Sequence, residues 1–101
     1  MAFAYKLHTK ALLEYADAYE WYELEHKGLG ERFIDTIDKR VSQICANPEH
    51  YSFAHGIYRQ ASVEGFPFTI VYKFFPKRTF VHISSIHHNS RSPRGKFRKE
   101  E

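Results

Sequence analysis

The ten residues Ser84–Pro93, SSIHHNSRSP, set two adjacent histidines at the end of an apolar run, followed by a polar turn, an arginine and a proline. Histidine titrates near neutrality, so His87 or His88 could take or give a proton at physiological pH. An arginine fork grips two phosphate oxygens at once. With a second guanidinium at Arg59, the set Arg59, His87, His88 and Arg91 holds the parts needed to cleave a phosphodiester through its 2′-hydroxyl: a base, an acid, and cations that stabilise charge on the phosphorane. The same residues also serve plainer ends. A histidine at a strand end is commonly a hydrogen-bonded ring, Arg59 could pair with acidic helices, and Arg91 could cap a turn. These four are the candidate catalytic residues, and their spacing assigns none of them a role.

Metal chemistry fits less well. Strand alternation puts Val81, Ile83, Ser85 and His87 on one face, and Phe80, His82, Ser84, Ile86 and His88 on the other. His87 and His88 then point apart unless a bulge intervenes. His82 and His88 share a face but lie about 20 Å apart along an extended strand, too far for one ion. No ligand pair has zinc-like spacing. Ser84, Ser85 and His87 lack a nucleophile elbow, and Gly28-Leu29-Gly30 is a helix link, not a phosphate loop. No metal and no cofactor is expected.

The elements that must position these residues follow from periodicity. Phe3 to His8 alternates as a short strand, with Phe3, Tyr5 and Leu7 on one side. Thr9 is a candidate N-cap for a helix over 10–27 whose face carries Leu12, Tyr15, Ala16, Tyr19 and Tyr22, widened by Trp21 and Leu24, with Glu14, Asp17 and Glu20 mostly elsewhere. Gly28 is placed to end it. A second helix over 31–46 presents Phe33, Ile34, Ile37, Val41, Ile44 and Cys45, and Asn47-Pro48 stops it. Three strands follow, over 57–63, 66–75 and 80–88, divided by Glu64-Gly65 and Pro76-Lys77-Arg78; turns this short imply an antiparallel meander. The reading is α+β, in the order βααβββ: an N-terminal strand, then an antiparallel helical hairpin packed on one face of an antiparallel sheet. Residues 1–93 form one domain and 94–101 a basic tail.

Composition sets the outer bounds. The chain has 101 residues, enough for one core, and 17% of them are aromatic, which supplies much buried area per residue. The single cysteine, Cys45, lies on an apolar helical face and reads as a buried structural thiol. The opening residues lack a signal-peptide core and no apolar run reaches membrane-spanning length, so a cytoplasmic protein with no membrane partner is expected. The net charge of +3 conceals an asymmetry. Residues 1–50 hold six Lys/Arg against nine Asp/Glu, and residues 51–101 hold nine against three. The basic half suits an acidic partner, nucleic acid or protein.

Several stretches taken in order resemble one family. Glu20-Trp21-Tyr22-Glu23, Gly28-Leu29-Gly30-Glu31-Arg32-Phe33, Asn47-Pro48-Glu49, Tyr58-Arg59, Phe66-Pro67-Phe68-Thr69-Ile70-Val71-Tyr72 and Ile86-His87-His88-Asn89-Ser90-Arg91-Ser92-Pro93 are similar to the RelE/ParE superfamily of bacterial type II toxins, in its ParE-like, "plasmid stabilisation" branch. The resemblance implies a toxin component of a toxin–antitoxin system that inhibits growth and is neutralised by a cognate antitoxin. In the ParE-like branch the target is DNA gyrase; in the RelE-like branch the toxin cuts mRNA in the ribosomal A site. Arg59 and Arg91 match positions that are commonly basic in the superfamily. Gln60 stands where a second arginine is common, Val63-Glu64-Gly65 replaces a basic segment, and the tail lacks a tyrosine at the family's acid position. The resemblance therefore implies gyrase inhibition without intrinsic catalysis, with a ribosome-dependent endoribonuclease or a non-toxic binding relative as the alternatives.

Overall fold

The second helix, α2 (Leu29–Ala46), makes the core the sequence predicts. Phe33, Ile37, Val41, Ile44 and Cys45 recur at helical spacing and all five are buried. Burial pushes the Cys45 thiol above its ordinary value, which leaves it inert. The structure, a computed structural model, describes residues 2–90. Arg91 and the basic tail lie outside the described residues.

The first helix, α1 (Thr9–Glu25), is turned relative to expectation. Ala11, Ala18 and Tyr22 are its buried residues, whereas Leu12, Leu13, Trp21 and Leu24 are exposed. Apolar residues encircle this helix, so periodicity alone could not choose its inner face. Close approach chose it. A Cβ at Gly30 of α2 would sit 2.7 Å from the Tyr19 carbonyl oxygen and 2.8 Å from Glu23 Oε1. The N-cap is His8 rather than Thr9, its Nδ1 accepting from the Lys10 N–H at 3.0 Å.

The link between the helices is fixed by one carboxylate. Glu23 accepts from the Gly28 N–H (2.9 Å) and from the Gly30 N–H (3.0 Å). It satisfies donors that α2 leaves open and sets a negative charge at that helix's positive end. Gly28 adopts φ +89°, where glycine costs least, but it precedes α2 instead of closing α1, whose C-cap is His26.

Five strands form one sheet: β1 (Ala4–Leu7), β2 (Phe53–His55), β3 (Tyr58–Ser62), β4 (Phe68–Phe75) and β5 (Phe80–His88), in the order β1-β5-β4-β3-β2. The predicted meander is β3-β4-β5, with antiparallel pairing throughout. The sheet as a whole is mixed rather than purely antiparallel, because β1 pairs parallel with β5. The helical hairpin carries the chain away from β1, the meander is then laid down strand by strand, and its last strand offers a free edge to β1. The short β2 was not predicted; three residues are too few to show alternation, and its hairpin turns on Gly56 at φ +56°. The helices cover one face, where Phe33 meets Phe68 at a ring distance of 4.9 Å and Phe66 at 5.3 Å. On that face Tyr72 donates to the Pro48 carbonyl at 2.6 Å, tying the segment after α2 to the sheet, and burial pushes its phenol up to about 12.

Candidate functional site

The last strand is interrupted by one extra residue. Val71 pairs with Ser85, but its neighbour Tyr72 pairs with Ile83, so Ser84 has no partner on β4. Such a bulge shifts the alternation by one position. Directly opposed residues share a face, so Ile86 and His88 join Phe68 and Ile70 on the helix side, as Val81 and Ile83 join Phe74 and Tyr72. His82 and His87 take the opposite side. The simple alternation expected for this strand therefore holds only up to Ser84. His87 and His88 still point apart, but His82 and His88 no longer share a face.

A helix side chain repairs the bulge. Glu14 Oε1 accepts from the Ile86 N–H at 2.8 Å and from the Ser85 hydroxyl at 3.0 Å. A carboxylate bonded to a backbone N–H is a strong partner for a donor that the irregular ladder leaves open. Glu14 was expected to lie away from the apolar face. Its position three residues after Ala11 and four before Ala18 puts it on the rim of the buried stripe, and that spacing is the signal that could have found it.

Around Glu14 lies a cavity of about 270 Å³ lined by Asp17, Trp21 and Tyr22 of α1 and by Phe68, Ile86 and His88 of the sheet. His88 Nδ1 accepts from the Ser90 N–H at 3.0 Å, which leaves Nε2 as the protonated nitrogen of the neutral ring. The ring packs edge-on against Phe68 at 5.2 Å. Two carboxylates beside an imidazole and an indole favour a cationic or neutral guest over a phosphate.

The other candidates lie elsewhere. His87 is buried, 8 % exposed, on the opposite face and pairs with Thr69. Arg59, on β3, is two strands across from β5. Its Nη1 donates to the Tyr51 carbonyl at 2.6 Å and the Glu49 carbonyl at 3.3 Å, and its guanidinium lies 3.9 Å from the Phe53 ring centre. It holds the segment between α2 and β2 against the sheet. Arg91 is outside the described residues. Among the described residues no three or more His, Cys, Asp or Glu side chains gather where they could hold a metal, and no helix is long and apolar enough to cross a membrane.

The fold finds its counterparts among bacterial toxins. Residues 5–93 match the family described as "ParE toxin of type II toxin-antitoxin system, parDE". The chain belongs to this family. A structure titled "Chromosomal ParDE TA system from P. aeruginosa" has the same fold, with a TM-score of 0.74 and 14% identity over 86% of this chain and 96% of the other. A chain of the intact E. coli RelBE toxin–antitoxin complex superposes with a TM-score of 0.67 and 14% identity, over 89% of this chain and 100% of its own. The isolated E. coli RelE toxin gives 0.66 and 15% identity, over 98% of this chain and 97% of its own. No curated protein matches the sequence.

Proposed function

We propose that this toxin inhibits growth by binding DNA gyrase and is held inactive by a cognate antitoxin. The observation that carries the reading is the match to the ParE toxin family along residues 5–93. The commitments of Arg59 to the Tyr51 and Glu49 carbonyls support it, because a guanidinium used to fasten a loop is less available to a phosphate. Antitoxin neutralisation draws support from the solved relatives, which include the ParDE system and the RelBE complex. An antitoxin with acidic residues would meet the basic second half of the chain, and raised salt would weaken that association.

The test is direct. Purified chain added to gyrase should lower supercoiling and raise the level of cleavage complexes, and the antitoxin should restore both. Unchanged gyrase activity, with codon-positioned cuts in translated message seen by primer extension, would move the assignment to ribosome-dependent mRNA cleavage. In that case Arg59 and Arg91 would be the charge-stabilising groups and His87 or His88 the proton carrier. Growth unaffected by expression without antitoxin would leave a non-toxic binding relative.

A further inference from the structure

The charge asymmetry of the sequence becomes an asymmetry between layers in the fold. Every acidic residue among the described residues lies between Glu14 and Glu64, most of them on the two helices. No carboxylate occurs from Ala2 to Leu13 or from Gly65 to Ser90, the stretches that supply β1, β4 and β5. The sheet face turned away from the helices is thus free of acidic side chains on three adjacent strands.

The register lines basic side chains up on that face. Lys6 of β1 pairs with His82 of β5, and His82 pairs in turn with Lys73 of β4. Their neighbours Leu7, Ile83 and Tyr72 form the next row and turn toward the helices, so the three side chains share the open face and span about 10 Å across the strands. His8 extends the row, its ring centre 5.6 Å from that of His82. Burial first, and then the nearby Lys73, His8 and Lys6, hold the His82 imidazole below its ordinary value.

Aromatic rings are set among these cations. Lys73 Nζ stands 5.2 Å from the Tyr58 ring centre and 5.7 Å from that of Phe75, and the Arg78 guanidinium stands 5.7 Å from Phe75. Phe75 and Phe80, paired across β4 and β5, lie stacked at 6.4 Å with their planes 22° apart. Lys6, His8, Lys77 and Arg78 are exposed, and Tyr58, Lys73, Phe75, Phe80 and His82 are partly so. Ring contacts hold long cationic side chains over the sheet in defined positions.

We propose that this patch, at the end of the sheet remote from His88, binds single-stranded nucleic acid: Lys6, Lys73 and Arg78 contact phosphates, and Phe75, Phe80 and Tyr58 meet unstacked bases. Cations interleaved with rings on one sheet face suit a strand whose bases are splayed out, since every base has a face to stack. An acidic peptide would satisfy the cations and leave the rings unused. A duplex would present phosphates but keep its bases stacked. The inference stands apart from the gyrase reading and concerns a different surface from the cavity around Glu14.

The experiment is fluorescence anisotropy of a labelled oligothymidine with the full chain, from low to physiological salt. Saturable binding that weakens with salt is expected, tighter than to a duplex of equal length and poorly competed by oligoglutamate. The Lys6→Glu/Lys73→Glu double variant should bind at least tenfold more weakly. Its log–log salt slope should be shallower by about 1.4, at about 0.7 per single-strand phosphate contact. Arg32→Glu/Lys39→Glu makes the same charge change on α2 and should stay within twofold of the parent. Should Lys73→Glu disturb folding by circular dichroism, Lys6→Gln/Arg78→Gln on exposed positions reads the same loss. Absence of binding at low salt, tighter binding to duplex, full competition by oligoglutamate, or an equal loss from the helix-layer variant would each overturn the assignment.

Discussion

The two helices are nearly equal in length, 17 and 18 residues, yet they meet the core in opposite ways. α2 buries its large residues: Phe33 and Ile44 are wholly inaccessible and Ile37 nearly so. α1 buries two alanines and a tyrosine and turns Leu13 (60 %), Trp21 (58 %) and Leu24 (82 %) to solvent. A helix with one apolar stripe has one way to pack. A helix with apolar residues all around is placed by its neighbours, here by Gly30 against Tyr19 and by Glu14 on the β5 bulge. The large residues left outside α1 form the kind of surface a protein partner covers.

The contrast breaks most sharply under truncation. Phe33→Ala should cost about 3–5 kcal/mol, a large part of the stability of a domain this size, and leave a chain largely unfolded by urea titration and circular dichroism. If Leu24→Ala on α1 cost as much, the division between the helices would be wrong. Gly30→Ala comes next, at about 1–3 kcal/mol, because the added methyl meets the Tyr19 carbonyl, a backbone atom that cannot swing aside. A melting temperature equal to the parent's would mean that the helices separate without penalty. Glu14→Ala should cost about 1–2 kcal/mol by leaving the Ile86 N–H without its carboxylate. Fast amide exchange at Ile86 in that variant would tie the loss to the bulge.

What could be read without coordinates follows the same division. The α2 stripe, the meander and the helix link at Gly28 were legible because each rests on local periodicity or a glycine. The inner face of α1 was not, since Leu12 and Ala11 compete equally in a pattern with apolar residues on every side. The bulge at Ser84 left no mark either. The serine pair in mid-strand carries no local signal of an irregularity, and only the pairing of Tyr72 with Ile83 reveals the extra residue. His88 consequently joined the helix-side cavity and parted from His82. Of the four candidate catalytic residues, His88 lines the cavity around Glu14 while Arg59 fastens a loop, and spacing could not separate them because the atoms they engage belong to partners 20 and 10 residues away, Phe68 and Glu49.

Titration sharpens the comparison with smaller effects. The Tyr72 phenol is pushed up to about 12 from an ordinary 10, and burial together with Asp38 raises Tyr15 as well, its hydroxyl donating to Asp38 Oδ1 at 2.9 Å. Above pH 10 the unfolded chain releases these protons while the folded one keeps them. Stability is therefore complete below pH 10 and falls as pH rises toward 12. Tyr15→Phe, which removes the bridge between α1 and α2, should flatten part of that decline in alkaline urea titrations. An unchanged slope would mean that the bridge contributes nothing. The sign reverses for His82, whose depressed value makes the unfolded chain the better proton acceptor. Stability should be complete above 6.5 and decline as pH falls below it.

The smallest expected change is the most telling about α1. Trp21 is the only tryptophan in the chain, and it lies 58 % exposed with its ring edge-on to Tyr22 at 5.1 Å. Trp21→Ala and Leu24→Ala should each stay within about 0.5 kcal/mol of the parent, as surface changes do when no buried group loses a partner. The native indole should already emit at long wavelength and be quenched readily by acrylamide, so unfolding should barely shift its emission while the helical circular dichroism disappears. A blue-emitting, protected indole in the free chain would show this face of α1 to be covered, and α1 would then be a second core helix like α2.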